Sequence, residues 1–510
     1  MRWYVFSLLS TLLLIASFYP YRFWPFGFVA LVPLIYFIEK NPSAYTRVFV
    51  SGFTVGSLFP LALMHATVME FTWLPEAHFF QTIIRWTSLP IAIGIGLLYG
   101  GAVLLYVKKL RTTSIAKDIF ILALVWGLTE WVITLGTGGY NLGILAHAAV
   151  TIPFFVSLAA VGGIHFSSFI VILCNVCIAF LLLIRQESHP LPPQRYAKLL
   201  TGTAGAVIVI FLLNTWYLRH NQIEQTISIA VLQNSDRKEN AFGTFTLDTF
   251  SFEKLTSLIH TAKSLQPAPS IIIYPFSVSK EILSESTSSL PYVATAPLSE
   301  FRDWTTHLGT TTLVTWNTIE RQGFFFNEID YWREGEIVTK YQKTNLFPFM
   351  DYTPLWAQHL GLYSTVIDEA PGEINQPVFN LDAARLASAV CSEINSPKTI
   401  RTNSESANIL FSIGSDAMFS DSFAAEFDLA SAQFRAAENN IAVVRANRFG
   451  PSGFIASDGQ IIRGTAHEAD GAFVAQVPYE EHPRKTIYRL TGNALFVVGG
   501  LISLGVLVFL

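Results

Sequence analysis

Eight apolar runs decide most of what this chain can become: residues 3–19, 23–38, 48–68, 88–107, 118–136, 153–184, 199–217 and 493–510. A helix needs about 20 apolar residues to cross a hydrocarbon core about 30 Å thick. The pattern therefore predicts a polytopic helical membrane bundle of about eight spans. Seven runs precede residue 218 and the eighth closes the chain, which divides it into a membrane domain 1–218, an insert 219–490 and a last span 491–510. The first run reads as a retained span. Only Arg2 precedes it, no small-residue cleavage site follows, and further spans come after it.

Charge orients the bundle. With a cytoplasmic N-terminus, Arg2, Lys40, Arg47, Lys108, Lys109, Arg111, Lys117, Arg185, Arg195 and Lys198 fall inside, and Arg22 and Arg85 fall outside. Basic residues favour the cytoplasmic side of short loops, so the insert is expected outside the cytoplasm. A net charge of -4 without a long basic run argues against nucleic acid as a partner. Three cysteines make neither a disulfide framework nor a metal-ligand pattern, and Cys174 and Cys177 lie within an apolar run.

Two outward segments are more than connectors. Residues 66–87 mix Phe71, Trp73, Leu74, Phe79 and Phe80 with few charges, as an interfacial aromatic belt does. Residues 137–152 bring Gly138 and Gly139 beside Tyr140. Glu130, late in the fifth run, is either a functional carboxylate at membrane depth or a helix anchor.

In the insert the long apolar runs stop. Short β-prone runs at 226–233, 270–274, 311–316, 323–331, 336–341, 386–390, 407–413, 441–446, 452–456 and 472–477 flank helical spacing at 245–265 and 419–438. Such alternation predicts one layered α/β domain. Cys391 ends the run 386–390, where a thiol can be exposed on a fixed backbone. A lone cysteine after a strand is equally a small buried apolar residue.

Several motifs, in order, resemble those of the apolipoprotein N-acyltransferase family, within the nitrilase (carbon–nitrogen hydrolase) superfamily. PLIYF (33–37) and VWGLTEWVITLGTGGYNLG (125–143) are similar to its membrane signatures. VLQNSD (231–236), IIIYP (271–275), FNEIDYW (326–332), KYQKTNLFPFMDYTPL (340–355), VCSEI (390–394), GSDAMFSDS (414–422) and FRAAENNIAVVRANRFGPSGFI (434–455) are similar to those of its hydrolase-like domain. The resemblance implies a bundle carrying an extracytoplasmic αββα domain, in a bacterial inner membrane with that domain periplasmic.

It also implies a Glu–Lys–Cys triad, with Cys391 as nucleophile and Lys343 stabilising thiolate and oxyanion. Glu393 matches a supporting carboxylate, and Asp351 stands where the family has a second glutamate. The triad's glutamate position holds Phe276, which cannot take a proton. Further departures are Ser392 after the nucleophile, Met350 after Pro348-Phe349, Ser415-Asp416 with Met418, and Phe427-Asp428 where the family has Gln-His. Two main readings follow. One is transfer of a phospholipid acyl chain, through a thioester on Cys391, to the N-terminal amine of a diacylglyceryl-modified apolipoprotein. Trp73, Phe79, Phe80 and Tyr140 would then bind substrate, no cofactor would be needed, and Asp351 could substitute as base. The other is a membrane-anchored pseudoenzyme that binds lipid, lipoprotein or a paralogue. A related acyl transfer or amide hydrolysis with Asp351 as base is a third.

Overall fold

All eight apolar runs fold as helices, but not all as single rods. The computed structural model describes residues 3–509 except 19–20, 69–76, 141–142, 187–192, 221, 223, 235–236, 240–244, 248–251, 276–301, 303–304, 307, 309–310, 322, 349–350, 360, 362–367, 417–422 and 468. The chain divides into a helical unit (Met1–Thr67, Ile84–Asn221, Arg484–Leu510) and an α/β unit (Val68–Ile83, Gln222–Pro483).

The helical unit contains α1 (Trp3–Phe18), α2 (Val32–Lys40), α3 (Tyr45–Val68), α4 (Ala77–Leu105), α5 (Ile115–Gly136), α6 (Pro153–Ser157), α7 (Ala159–Gln186) and α8 (Pro193–Arg219). It also holds the closing helix Ala494–Phe509. Among the described residues, six stretches are long and apolar enough to cross a membrane, and α1 and the closing helix are shorter, at 16 residues each. The second run is broken: Tyr21–Phe28 forms a 3-10 helix containing Pro25, and α2 begins at Val32 beside Pro33. Proline supplies no amide donor and clashes with the preceding turn, so the run cannot continue as one helix.

Polar groups inside this unit work as ties. Asn175 of α7 donates to the carbonyls of Gly27 (2.8 Å) and Val171 (3.0 Å) and accepts from the amide of Leu31 (2.9 Å). Glu130 of α5 accepts from Ser168 Oγ of α7 at 2.5 Å and from the Leu145 amide at 3.2 Å. Of the two readings open for Glu130, these bonds are those of an anchor.

Helices α3 and α4 meet through glycine. A Cβ on Gly56 would stand 2.7 Å from Tyr99 Cδ2 and 3.1 Å from the Gly96 Cα, and one on Gly96 would stand 2.8 Å from the Phe53 carbonyl. Small residues four apart on each helix, Gly52 and Gly56 against Gly96 and Gly100, allow this approach. Gly96→Leu is therefore expected to cost at least about 1–3 kcal/mol through overpacking, read as earlier thermal aggregation in detergent. Gly94→Leu, on the same helix with nothing within 4 Å of its Cβ, is the control and is expected to behave as the parent.

The α/β unit is built from two six-stranded sheets. The first comprises β1 (Glu224–Gln233), β4 (Ile271–Tyr274), β5 (Thr312–Arg321), β6 (Phe324–Arg333), β7 (Glu336–Gln342) and β14 (Gly471–Glu480), ordered β14-β1-β4-β5-β6-β7. The second comprises β8 (Phe379–Leu381), β9 (Ala384–Val390), β10 (Ile409–Gly414), β11 (Ala442–Asn447), β12 (Gly453–Ile455) and β13 (Ile461–Gly464), in the reverse of that order. A hairpin of β2 (Arg237–Glu239) and β3 (Phe245–Leu247) stands apart.

Side chains alternate faces along a strand, and here both faces are buried. Ile227, Ile229 and Val231 of β1 pack into the core between the sheets, with Ile409, Phe411 and Ile413 of β10 in the same core. Ala230 and Leu232 face the other way, into a layer with Leu255 and Ile259 of α9 (Phe252–Ser264). After α10 (Leu355–His359), Leu410 likewise turns toward Ile400 of α11 (Pro397–Asn403) and Ala432 of α12 (Phe423–Asn439). The result is an αββα sandwich. Its last strand returns antiparallel to its first, Glu480 opposite Glu224, so the two ends of the insert lie side by side. A domain can then interrupt a helical chain without separating the flanking segments.

Candidate active site

Cys391 occupies the position directly after β9, with φ at +50°. A non-glycine residue in the left-handed region costs about 1–3 kcal/mol and persists where its surroundings hold it there. Two features hold it. The Val390 amide donates to Glu393 Oε2 at 2.8 Å. On the neighbouring strand, Gly414 leaves room: a Cβ there would stand 3.2 Å from the Cys391 Cα.

Glu393 is fully buried and heavily bonded. Its Oε1 accepts from the amides of Thr344 (2.8 Å) and Asn345 (3.0 Å) and from Thr344 Oγ1 (2.9 Å), and Tyr341 Oη donates at 2.9 Å. Burial raises its carboxyl above the usual range, against these donors. Glu393 thus fastens the cysteine turn to segment 341–345, which carries Lys343.

The Lys343 side chain is 1% exposed, and its Nζ stands 2.5 Å from Asp351 Oδ2. The Lys343 amide donates to the Asn327 carbonyl at 2.8 Å, which fixes it at the end of the first sheet. Asp351 also accepts from the Phe347 amide at 2.6 Å. The structure therefore brings Lys343, Asp351, Glu393 and Cys391 into one neighbourhood. Burial pushes the Cys391 thiol up to about 12, with Lys343 the leading opposing charge and Asp351, Asp428 and Asp416 adding to the rise. At neutral pH the sulfur carries its proton. Nucleophilic attack here needs a proton acceptor.

Other candidates fall elsewhere. Tyr140 is buried within the helical unit. Trp73 and Phe276 lie outside the described residues, as do the side chains of Phe79 and Phe80, whose backbone begins α4. A cavity of about 470 Å³ in the helical unit, lined by Phe120, Phe166, Phe169, Val207 and Ile210 among others, contains none of the site residues.

Two features escape a reading of motifs alone. One is a buried charge cluster around Arg445 of β11, whose Nη2 bonds Asp416 Oδ2 at 2.8 Å and Asp428 Oδ2 at 3.1 Å. Burial, with Asp416 adding and Arg445 opposing, pushes Asp428 up to about 6. The other is Glu369, which accepts from Asn327 Nδ2 at 2.6 Å. No spacing marks Glu369 in the sequence, because the segment that carries it is irregular. Among the described residues no cluster of His, Cys, Asp and Glu is suited to a metal ion.

Two family models match this chain: the apolipoprotein N-acyltransferase N-terminal domain over residues 10–177 and carbon-nitrogen hydrolase over residues 268–482. An apolipoprotein N-acyltransferase from Allorhizobium ampelinum is 24% identical over 503 residues, covering 94% of this chain and 90% of the relative. One from Haemophilus influenzae is 23% identical over 531 residues, covering 96% and 91%. Among solved structures, an amidase from Nesterenkonia sp. is similar over 51% of this chain and 93% of its own, with TM-score 0.35 and 18% identity.

Proposed function

Because this chain belongs to the apolipoprotein N-acyltransferase family, we propose that it moves an acyl chain from a membrane phospholipid, through a thioester on Cys391, to the N-terminal amine of a diacylglyceryl-modified apolipoprotein. The observation that carries the reading is the buried ion pair of Lys343 and Asp351 beside a cysteine held in a left-handed turn. Attack of sulfur on an ester carbonyl builds negative charge on the carbonyl oxygen. A fixed ammonium in a dry site stabilises that charge more than water would. The S–C bond forms, the ester C–O bond breaks, and the lysophospholipid leaves as an alcohol. The acceptor amine then attacks the thioester, forming the amide N–C bond and returning the thiol.

Both substrates are held in a bilayer, which suits a hydrolase-like domain inserted between membrane spans. The basic bias of the inner loops supports a periplasmic placement of that domain in a bacterial inner membrane. In this reading Asp351 holds Lys343 and Glu393 holds the turn. The aromatic residues Trp73, Phe79 and Phe80, with Tyr140, are proposed to meet the acyl chains. The chemistry requires no cofactor.

A pseudoenzyme that binds lipid, lipoprotein or a paralogue is the second reading. It is favoured by Phe276 at the position of the family's glutamate and by a thiol held up at about 12. Intact mass after incubation with phosphatidylethanolamine in mixed micelles separates the two. Acyl transfer is expected to add one acyl mass, removable by hydroxylamine, to the parent and none to Cys391→Ala. A parent that gains nothing, while an active relative is acylated alongside it, would falsify the enzyme reading.

A further inference from the structure

The site contains a thiol that must lose a proton, and in the sequence the position matching the family's glutamate is Phe276, which cannot accept one. Asp351 is poorly suited to accept it, since its Oδ2 is already held by Lys343 Nζ at 2.5 Å and by the Phe347 amide at 2.6 Å. That oxygen already accepts from two donors, an ammonium and an amide. Another carboxylate stands beside this pair.

We propose that Glu369 is the carboxylate through which this site moves its proton, standing in for the missing glutamate and acting on Cys391 by way of Lys343. The inference rests on the acyl-transfer reading above and adds a residue to it. Three backbone bonds position Glu369: its own amide donates to the Asp351 carbonyl (2.8 Å), Ala370 donates to Phe325 (2.7 Å), and Gly372 donates to Lys343 (2.8 Å). Segment 369–372 is thereby locked between the start of β6 and the lysine. Register supports the substitution. β4 stops at Tyr274, paired with Thr315, and three residues further along β5 Thr318 pairs with Asn327, the donor to Glu369. Glu369 therefore sits at the sheet end where β4, the strand leading to position 276, terminates.

The electrostatics agree with this geometry. Burial and the charge of Asp351 push Glu369 up to about 8, while Lys343 and the Asn327 amide oppose the rise. A base that titrates near the working pH has both the right protonation state and driving force. The charged groups around it are accounted for. Lys343 and Asp351 face it, whereas Asp368 turns to the Thr353 amide at 2.7 Å. On β6, Glu328 is held by Arg321 at 3.0 Å and Lys340 at 3.5 Å.

Acylation then proceeds with Lys343 passing one ammonium proton to Glu369 as it takes the thiol proton. Sulfur bonds the acyl carbon, the ester C–O bond breaks, and the Glu369 proton returns by the same route to the departing alcohol oxygen. In the second half, the amine proton takes that route to Glu369 while N–C forms and C–S breaks, and it ends on the thiolate. Glu369 acts through Lys343 and is thus a positioning residue for the proton.

The test is alkylation of Cys391 by iodoacetamide in the full-length protein in detergent, followed by peptide mapping from pH 6 to pH 10. The parent rate is expected to rise through an apparent value near 8. E369Q, which keeps the shape and can still bond Asn327, is expected to lose that rise and fall about 100-fold, and E369D to recover part of it. An E369Q profile that overlays the parent's, two flat ones included, overturns the proposal. So does a loss that E369D fails to rescue at unchanged thermal stability. Acylation by phosphatidylethanolamine is measured in parallel. A parent that takes no acyl group, with an alkylation profile still altered by E369Q, removes the acyl-transfer reading and leaves Glu369 standing.

Discussion

Lys343→Met is expected to slow acylation of Cys391 by about a hundred- to a thousandfold, the usual effect of losing one oxyanion donor. Methionine fills similar volume without charge, so the change isolates the ammonium. Two losses combine. The thiol, already held at about 12 by burial, loses the leading charge that pulls it down. The developing oxyanion also loses its cation. Stability is expected to fall as well, by about 3–5 kcal/mol, because breaking a buried pair leaves the partner uncompensated. That partner is Asp351, only 12% exposed. The double variant Lys343→Met with Asp351→Asn separates the roles. Thermal unfolding should return toward the parent while acylation stays slow. Recovery of both would mean that Lys343 only holds the segment in place.

Much of this sandwich was legible because its strands are buried on both faces. In β1 the inner set Ile227, Ile229 and Val231 and the outer set Ala230 and Leu232 are all apolar, so the run stands out from the polar segments around it. The strands expected at 311–316 and 323–331 extend to Arg321 and Arg333, because a long antiparallel pairing carries past the apolar residues. β13 was not legible: all four of its residues are exposed, so no alternation marks it. Of the expected helix 245–265, Phe252–Ser264 is helical among the described residues, and Phe245–Leu247 pairs with β2 instead. Pairing with the neighbouring segment in a hairpin overrides the helical preference there. Within the site, Cys391 and Lys343 could be picked out because motifs carry them. Glu369 acquires its meaning from Asn327, 42 residues earlier in the chain, and only the folded chain brings the two together. Asp428 entered the sequence reading as a departure. Its fold partner Arg445 makes it part of a buried ionic cluster.

Arg445→Met should destabilise the α/β unit about as much as Lys343→Met does. Arg445 is fully buried on β11, and its guanidinium is shared by Asp416, after β10, and Asp428 of α12. Removing it leaves two buried carboxylates facing each other, a loss of about 3–5 kcal/mol for a broken buried pair. The pH dependence identifies the cause. Burial pushes Asp428 up to about 6 in the fold, above the usual aspartate range, so its ionised form disfavours the fold above that point and the cost disappears as pH falls below it. Arg445 opposes that rise, so its loss moves the folded value higher still. The variant is therefore expected to gain more stability than the parent between pH 7 and pH 5, measured by thermal unfolding at each pH. Adding Asp428→Asn should relieve part of the loss at pH 7 and flatten the pH response. A variant equally unstable at both pH values would assign the loss to packing of the guanidinium, not to its charge.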